Sequence, residues 1–517
     1  MKMNEKRGIT LVALVITIVI LLILAGISIS TLTNTGIFAR AQEAKEKSEE
    51  AQQKESSTLY AYEDELNKYT SNDRWDGKVN KPELMTGMKA IKFTDPTDSA
   101  EGTAVKNVDS SKSDWYNYAN KQWANAQTED GSMWVWIPRY AYKINSDTHT
   151  FDIVFLVGTS DNYYDKDGKL QTAKRQTSEN DVPDAKVDYV VHPAFTNESS
   201  INYVNGGWKK ELAGIWVAKF EAGYFDKTTE NSKIKPSSVT YSQTFGWTTA
   251  NKNEDARNYY DGIYGTKSTK IKYPTFQGLK YSMNYINHSD AFSISRALTE
   301  KDNVYGLSSS STDSHLMKNS EWGAVAYLGQ SKYGLGTEEI RINNVNLNNE
   351  TDFVYASTGY AAKEKDASAG ATSTAYKWYE TEGATASCTG TIDGIYDLSG
   401  GTWERTAAIV NNGNSNLNTY GKAIMNELNN GKSSAYVTAY STSGSTVYGD
   451  AVRETSIVQD GQNLWYSDYS IFPTGGAPFF MRGGDCWNNS KAGLFCFSCP
   501  DGNSLFTHGF RSVLVSQ

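Results

Sequence analysis

The sequence predicts an α+β protein in which a long N-terminal helix precedes a domain rich in short strands and loops. Three observations carry this. Residues Ile9 to Ala39 include no charged side chain. From Phe38 to about Tyr69 the chain is dominated by helix formers. From Asn72 onward, short apolar runs are separated by clusters of Gly, Asn, Asp and Ser, the texture of many short strands joined by loops.

The apolar stretch Ile9 to Ile29 is long enough to cross a bilayer as a helix, which takes about 20 residues. Lys2, Lys6 and Arg7 precede it, so the N-terminus is expected in the cytoplasm and the remainder outside the cell. No Ala-x-Ala-like site closes the run, so a cleaved secretory signal is not expected. Thr33 to Gly36 reads as a bend. Beyond it Glu43/Lys47 and Glu50/Lys54 stand at supportive four-residue spacing, and a helix of about 60 residues would reach about 90 Å as a stalk.

Residues 71–130 are expected to link this stalk to a head domain over 131–517. Within the head, Met133 to Tyr142 and Phe151 to Val157 read as neighbouring strands, with Asp161 to Lys169 as the loop after them. Gly214 to Phe220 is a further strand. Leu316 to Leu328 is expected to be helical, with Trp322, Val325 and Leu328 at core spacing. Near the C-terminus, strand alternation puts Phe495 and Phe497 on one face and Cys496 and Ser498 on the other. The first pair would anchor, leaving the second free for contact.

Composition excludes several functions. Net charge is −9 with no basic block beyond the N-terminus, which argues against nucleic acid as a partner. The counts of Trp 13, Tyr 33 and Phe 18 suit aromatic core pegs in a loop-rich fold or aromatic contacts at a surface. Four cysteines, at 388, 486, 496 and 499, are too few for a disulfide framework in 517 residues. No nucleophile elbow, phosphate-binding glycine loop or HExxH pair is present. Asp165, Asp167 and Gly168 hint at a calcium loop, but Tyr163 and Lys174 stand where carboxylates are required; a turn is expected, and neither a metal nor a cofactor. The five histidines are scattered without ligand spacing. Glu221 and Glu404 are expected to serve fold-stabilising hydrogen bonds.

The order Lys6-Arg7-Gly8 followed by Ile9-Thr10-Leu11-Val12 resembles the start of type IV prepilins. That resemblance implies a leader at 1–8, cleavage between Gly8 and Ile9 by a prepilin peptidase, and pilus subunits as partners. Ala13 departs from it, because pilins carry a glutamate at that mature position. Four ordered segments, GIWVAKFEAG at 214–223, HLMKNSEWGAVAYL at 315–328, DGIYDLSGGTWERT at 393–406 and RGG to GFR within 482–511, resemble the formylglycine-generating, sulfatase-modifying branch of the C-type-lectin fold. Oxidases of that branch use a closely spaced cysteine pair. Here nine residues separate Cys486 from Cys496 and two separate Cys496 from Cys499, so isolated loop cysteines are the simpler reading.

The last segment also resembles the variable region of proteins diversified by retroelements, in which RGG, Trp, Ala-Gly-Leu-Phe and GFR form a frame. Mutable adenine-rich codons there never yield Lys, Glu, Gln, Met or Trp, and between Asp485 and His508 only Trp487 and Lys491 belong to that set. These resemblances imply a surface-displayed, non-enzymatic binding protein, a minor pilin or adhesin, held in the membrane by its N-terminal helix. Its ligand would be an extracellular protein or glycan. The implied contact residues are Asp485, Cys486, Asn488, Asn489, Ser490, Cys496, Ser498, Cys499, Asp501, Ser504, Phe506, Thr507 and His508. Replacing Phe506 and His508 is expected to weaken binding while sparing stability. An extracellular oxidase of the formylglycine-generating type and a structural pseudopilin are the alternatives.

Overall fold

The Trp- and Val-rich runs form strands because aromatic and β-branched side chains suit a pleated, buried surface. The computed structural model describes residues 79–94, 105–176, 183–197, 207–224, 274–347, 356–453 and 465–517, apart from gaps of one or two residues, together with Ala44, Lys47 and Ser48. The chain divides into two compact units, Met1–Asp76 and Gly77–Gln517.

In the second unit the strands are β1 (Lys89–Phe93), β2 (Val105–Asn107), β3 (Asn125–Gln127), β4 (Met133–Pro138), β5 (Tyr140–Asn145), β6 (Thr150–Phe155), β7 (Asn162–Tyr164), β8 (Leu170–Thr172), β9 (Val190–Val191) and β10 (Gly214–Ala218). They continue with β11 (Thr312–Leu316), β12 (Tyr360–Ala362), β13 (Ala375–Lys377), β14 (Trp403–Val410), β15 (Thr438–Tyr440), β16 (Phe479–Gly483), β17 (Gly493–Ser498), β18 (His508–Phe510) and β19 (Ser512–Ser516). Its described α-helices are α1 (His288–Arg296), α2 (Asn319–Gly329), α3 (Ser415–Tyr420) and α4 (Lys422–Asn426).

This corrects the expected fold class. The described residues are mostly strand and loop with a few short helices. The longest of these, α2, has 11 residues, and among the described residues no helix is long and apolar enough to cross a membrane. The expected transmembrane and stalk helix over 9–70 and the cleavage site at Gly8 and Ile9 lie outside the described residues, except Ala44, Lys47 and Ser48, which are helical.

A seven-stranded sheet runs in the order β11-β19-β10-β4-β3-β1-β2, all of its pairs antiparallel. Its centre is aromatic: Trp136 and Trp216 face each other across β4 and β10 with ring centroids 5.3 Å apart, and both are buried. A second sheet has the order β15-β14-β16-β17. One edge of β14 pairs with β16; β18 runs parallel to its first residues and β15 parallel to its last.

Helix α2 belongs to the core between these strands. Every one of its residues is buried, as fits a helix apolar on most of its circumference, and the Trp322 indole Nε1 donates to the Leu494 carbonyl of β17 at 2.6 Å. It starts three residues later than the sequence suggested. The Lys318 backbone N–H donates to Glu321 Oε2 at 2.8 Å, fixing the N-terminus there, and Leu316 completes β11 instead. The loop expected over Asp161 to Lys169 contains β7, paired with β8; between them Asp165 to Gly168 makes the turn, closed by Gly168 N–H to the Asp165 carbonyl at 2.9 Å.

Candidate functional site: the C-terminal loops and their frame

The frame is β14, β16, β17 and β18. Arg482 on β16 is wholly buried, its guanidinium between the rings of Trp322 and Phe497 at 5.5 and 5.4 Å from their centroids. Beyond it the chain must turn sharply, and Gly483 and Gly484 take φ of +84° and +78°, a region open to glycine. A side chain on Gly484 would also strike Ala492, 2.8 Å from the position of a Cβ. These two glycines launch the first loop, 485–492.

That loop is held by its own polar side chains. Asp485 Oδ1 accepts from the Trp487 backbone N–H at 3.0 Å, and the Asp485 N–H donates to Asn488 Oδ1 at 2.7 Å, the short-range bonding that suits Asp and Asn to turns. The Cys486 N–H donates to the Gly401 carbonyl at 3.1 Å. The consequence is a rigid turn whose apex, Trp487, is 57% exposed.

The second loop, 499–507, returns the chain to β18. Asp501 Oδ1 accepts from the Asn503 N–H at 3.0 Å, Asn284 Nδ2 donates to the Phe506 carbonyl at 2.9 Å, and the Trp403 N–H donates to the Thr507 carbonyl at 2.9 Å. Phe506 packs with Cys486 and Ala356, so the two loops share one contact.

Beneath the second loop lies Arg405, wholly buried. Its Nη1 donates to His288 Nδ1 at 2.5 Å and its Nη2 to His508 Nδ1 at 3.0 Å and to the Asn503 carbonyl; among the described residues Nε has no partner. Burial lowers the guanidinium to about 9, with Asp501 and Asp290 pulling the other way. Burial, then the Arg405 charge, hold His288 and His508 well below the ordinary imidazole range.

The implied contact residues divide by accessibility. Asn488, Asn489, Ser490, Cys499, Asp501, Phe506 and Thr507 are exposed or half-buried, whereas Asp485, Cys486, Cys496, Ser498, Ser504 and His508 are buried. Cys496 is covered by Trp403, Met481 and Tyr469, so the strand face opposite Phe495 and Phe497 is also closed. His508 belongs to the Arg405 cluster, and its replacement is expected to cost stability, contrary to the sequence-based expectation. Sequence reasoning treated Trp487 as framework and passed over Arg405 and His288. The signal for Arg405 was a second charge directly after Glu404 in the segment DGIYDLSGGTWERT.

Cys496 and Cys499 carry no sign of activation. Burial pushes Cys496 and Cys499 above the ordinary thiol value, the opposite of what a reactive thiolate needs. The expected structural carboxylates are well bonded. Glu221 accepts from the Ser282 and Thr402 hydroxyls and from the Thr402 N–H at 3.1 Å. Glu404 pairs with Arg511, Oε2 to Nε at 2.9 Å and Oε1 to Nη2 at 2.5 Å. No family model and no curated protein matches this chain.

Proposed function

We propose that this chain is a ligand-binding protein that presents loops 485–492 and 499–507 as its binding face, on a frame that tolerates exchange of the loop side chains. The observation that carries the proposal is the exposure of Trp487, 57%, at the apex of a hydrogen-bonded turn flanked by accessible Asn488, Asn489 and Ser490. An exposed aromatic on a preorganised backbone loses little freedom on binding and supplies a large contact area. The resemblance of the RGG-to-GFR segment to a diversified variable region supports the same face. Its ligand is an extracellular protein or glycan.

The test is a paired measurement on the full chain. Purified protein is applied to a panel of immobilised glycans and cell-surface proteins, and any ligand is then titrated against a variant with Trp487, Ser490 and Thr507 all changed to Ala. Binding should fall at least tenfold, about 1.4 kcal/mol, with the melting temperature held within a few degrees. Undiminished binding by that variant would place the ligand face elsewhere.

A further inference from the structure

The tautomers around Arg405 follow from hydrogen-bond chemistry alone. A guanidinium only donates, so Nδ1 of His288 and Nδ1 of His508 must each accept from it with a lone pair. His288 Nε2, 3.2 Å from the Phe480 carbonyl, is then its protonated nitrogen. Both imidazoles are neutral, and both rings are buried.

The charged surroundings offer little relief to a second cation. Asp290 on α1 and Asp501 on the loop act on Arg405 only through space; among the described residues no carboxylate lies within ion-pair distance of it. From β16 the His288 ring meets Phe479, stacked at 4.3 Å between centroids, and the Phe480 carbonyl. The loop is tied to this cluster through the Asn503 carbonyl, through the Gly502 carbonyl, which accepts from the His288 backbone N–H at 3.3 Å, and through His508 itself.

We propose that acid opens the 499–507 loop: a proton on Nδ1 of His288 or His508 sets N–H against N–H and cation against Arg405, and the loop leaves its seat. Loop 499–507 is part of the face proposed above to hold ligand, so the device regulates that site and rests on that reading. Loss of the loop's seat on acidification would release ligand, and neutral pH would restore it.

The experiment is hydrogen–deuterium exchange of the full chain, without ligand, from about pH 7.5 to about pH 4, corrected for intrinsic exchange. Each histidine that takes up a proton on opening multiplies the opening constant by about tenfold per pH unit below about 6.5. Peptides covering 499–507 should therefore be flat above that value and rise by up to about a hundredfold per unit below it, while β14 and β16 stay protected. The double variant His288→Gln/His508→Gln keeps an acceptor for Arg405 but cannot titrate, and should lose the slope. Should it fail to fold, each single variant must show half the slope. Flat exchange in the wild-type loop between about pH 6.5 and about pH 5 overturns the proposal, because an unfolded or opened histidine takes up its proton across that range. An unchanged slope in the variants overturns it too. Because no ligand is used, failure here leaves the binding face itself untouched, and a failed ligand screen leaves this device untouched.

Discussion

Glu404 and Arg405 are neighbours on β14 and point to opposite faces of one strand, and they are treated in opposite ways. Toward the seven-stranded sheet, Glu404 grips Arg511 with two bonds, and the remaining Arg511 donors reach the Ala218 and Tyr396 carbonyls at 2.7 and 2.8 Å. Charge is matched, and every nitrogen of the Arg511 guanidinium donates at least one bond. Toward the second loop, Arg405 has two neutral imidazoles, one carbonyl and, among the described residues, no partner for Nε. The first face is built to stay shut; the second is held by bonds that a proton can reverse.

The largest expected effect tests the closed face. Arg511→Ala leaves Glu404 buried without its cation, and breaking a buried pair in this way costs about 3–5 kcal/mol. Denaturant unfolding should show it as a large fall in midpoint. Arg405→Met should cost less, about 1–2 kcal/mol, because it removes an unpaired charge and strands only neutral acceptors. Equal losses from the two variants would break the comparison, since they would mean that Arg405 is as firmly compensated as Arg511.

The two faces should also differ in their pH dependence. On the Arg405 face His288 and His508 have folded values below the ordinary histidine range, as does His192, at about 3 from burial, elsewhere in the core. The unfolded chain binds these protons and the folded one does not, so their contribution is intact above about 6.5 and is lost as pH falls below it. Glu221 and Asp397 behave in the opposite sense. Burial lifts Asp397 to about 6, and burial, then Asp397 and Glu404, lift Glu221 well above the carboxylate range. The folded chain keeps those protons, so this contribution is whole below about pH 4 and declines as pH rises toward the folded values. Glu221→Gln should raise the unfolding midpoint at about pH 8 and leave it unchanged at about pH 4; the same midpoint as wild type at both would mean that Glu221 is ionised in the fold.

The closed face was the more legible in the sequence. Alternation in Leu494 to Ser498 announced β17, and aromatic density in Met133 to Tyr142 announced extended chain, because these signals lie within the segment itself; that the run breaks at Arg139 into β4 and β5, in two different sheets, was not announced. Glu404 and Arg511 are 107 residues apart, yet each falls in a motif whose position suggests structural bonding. The Arg405 cluster draws His288, Arg405 and His508 from three separate segments. No local pattern joins them, and His288 read as one of five scattered histidines. Burial of Cys496 was hidden for the same reason: its cover, Trp403 and Tyr469, comes from elsewhere in the chain. The long apolar run near the N-terminus spoke most loudly of all, and it lies outside the described residues.

The smallest expected effect on stability is at Trp487, and it sharpens the contrast between surface and frame. At 57% exposure the side chain has little burial to lose, and the turn beneath it is held by backbone bonds to Asp485 and Asn488 that Ala retains. Trp487→Ala should therefore shift unfolding by no more than about 0.5 kcal/mol. Cys486→Ser, one residue earlier, places a hydroxyl at a wholly buried position against Ala356 and Phe506 and should cost about 1–3 kcal/mol. Binding should reverse that order, since truncating an exposed aromatic anchor costs about 2 kcal/mol or more where it is the hot spot. If Trp487→Ala instead unfolds the chain as Cys486→Ser does, the indole is a peg of the frame, and the binding face must be sought among the side chains of 499–507 alone.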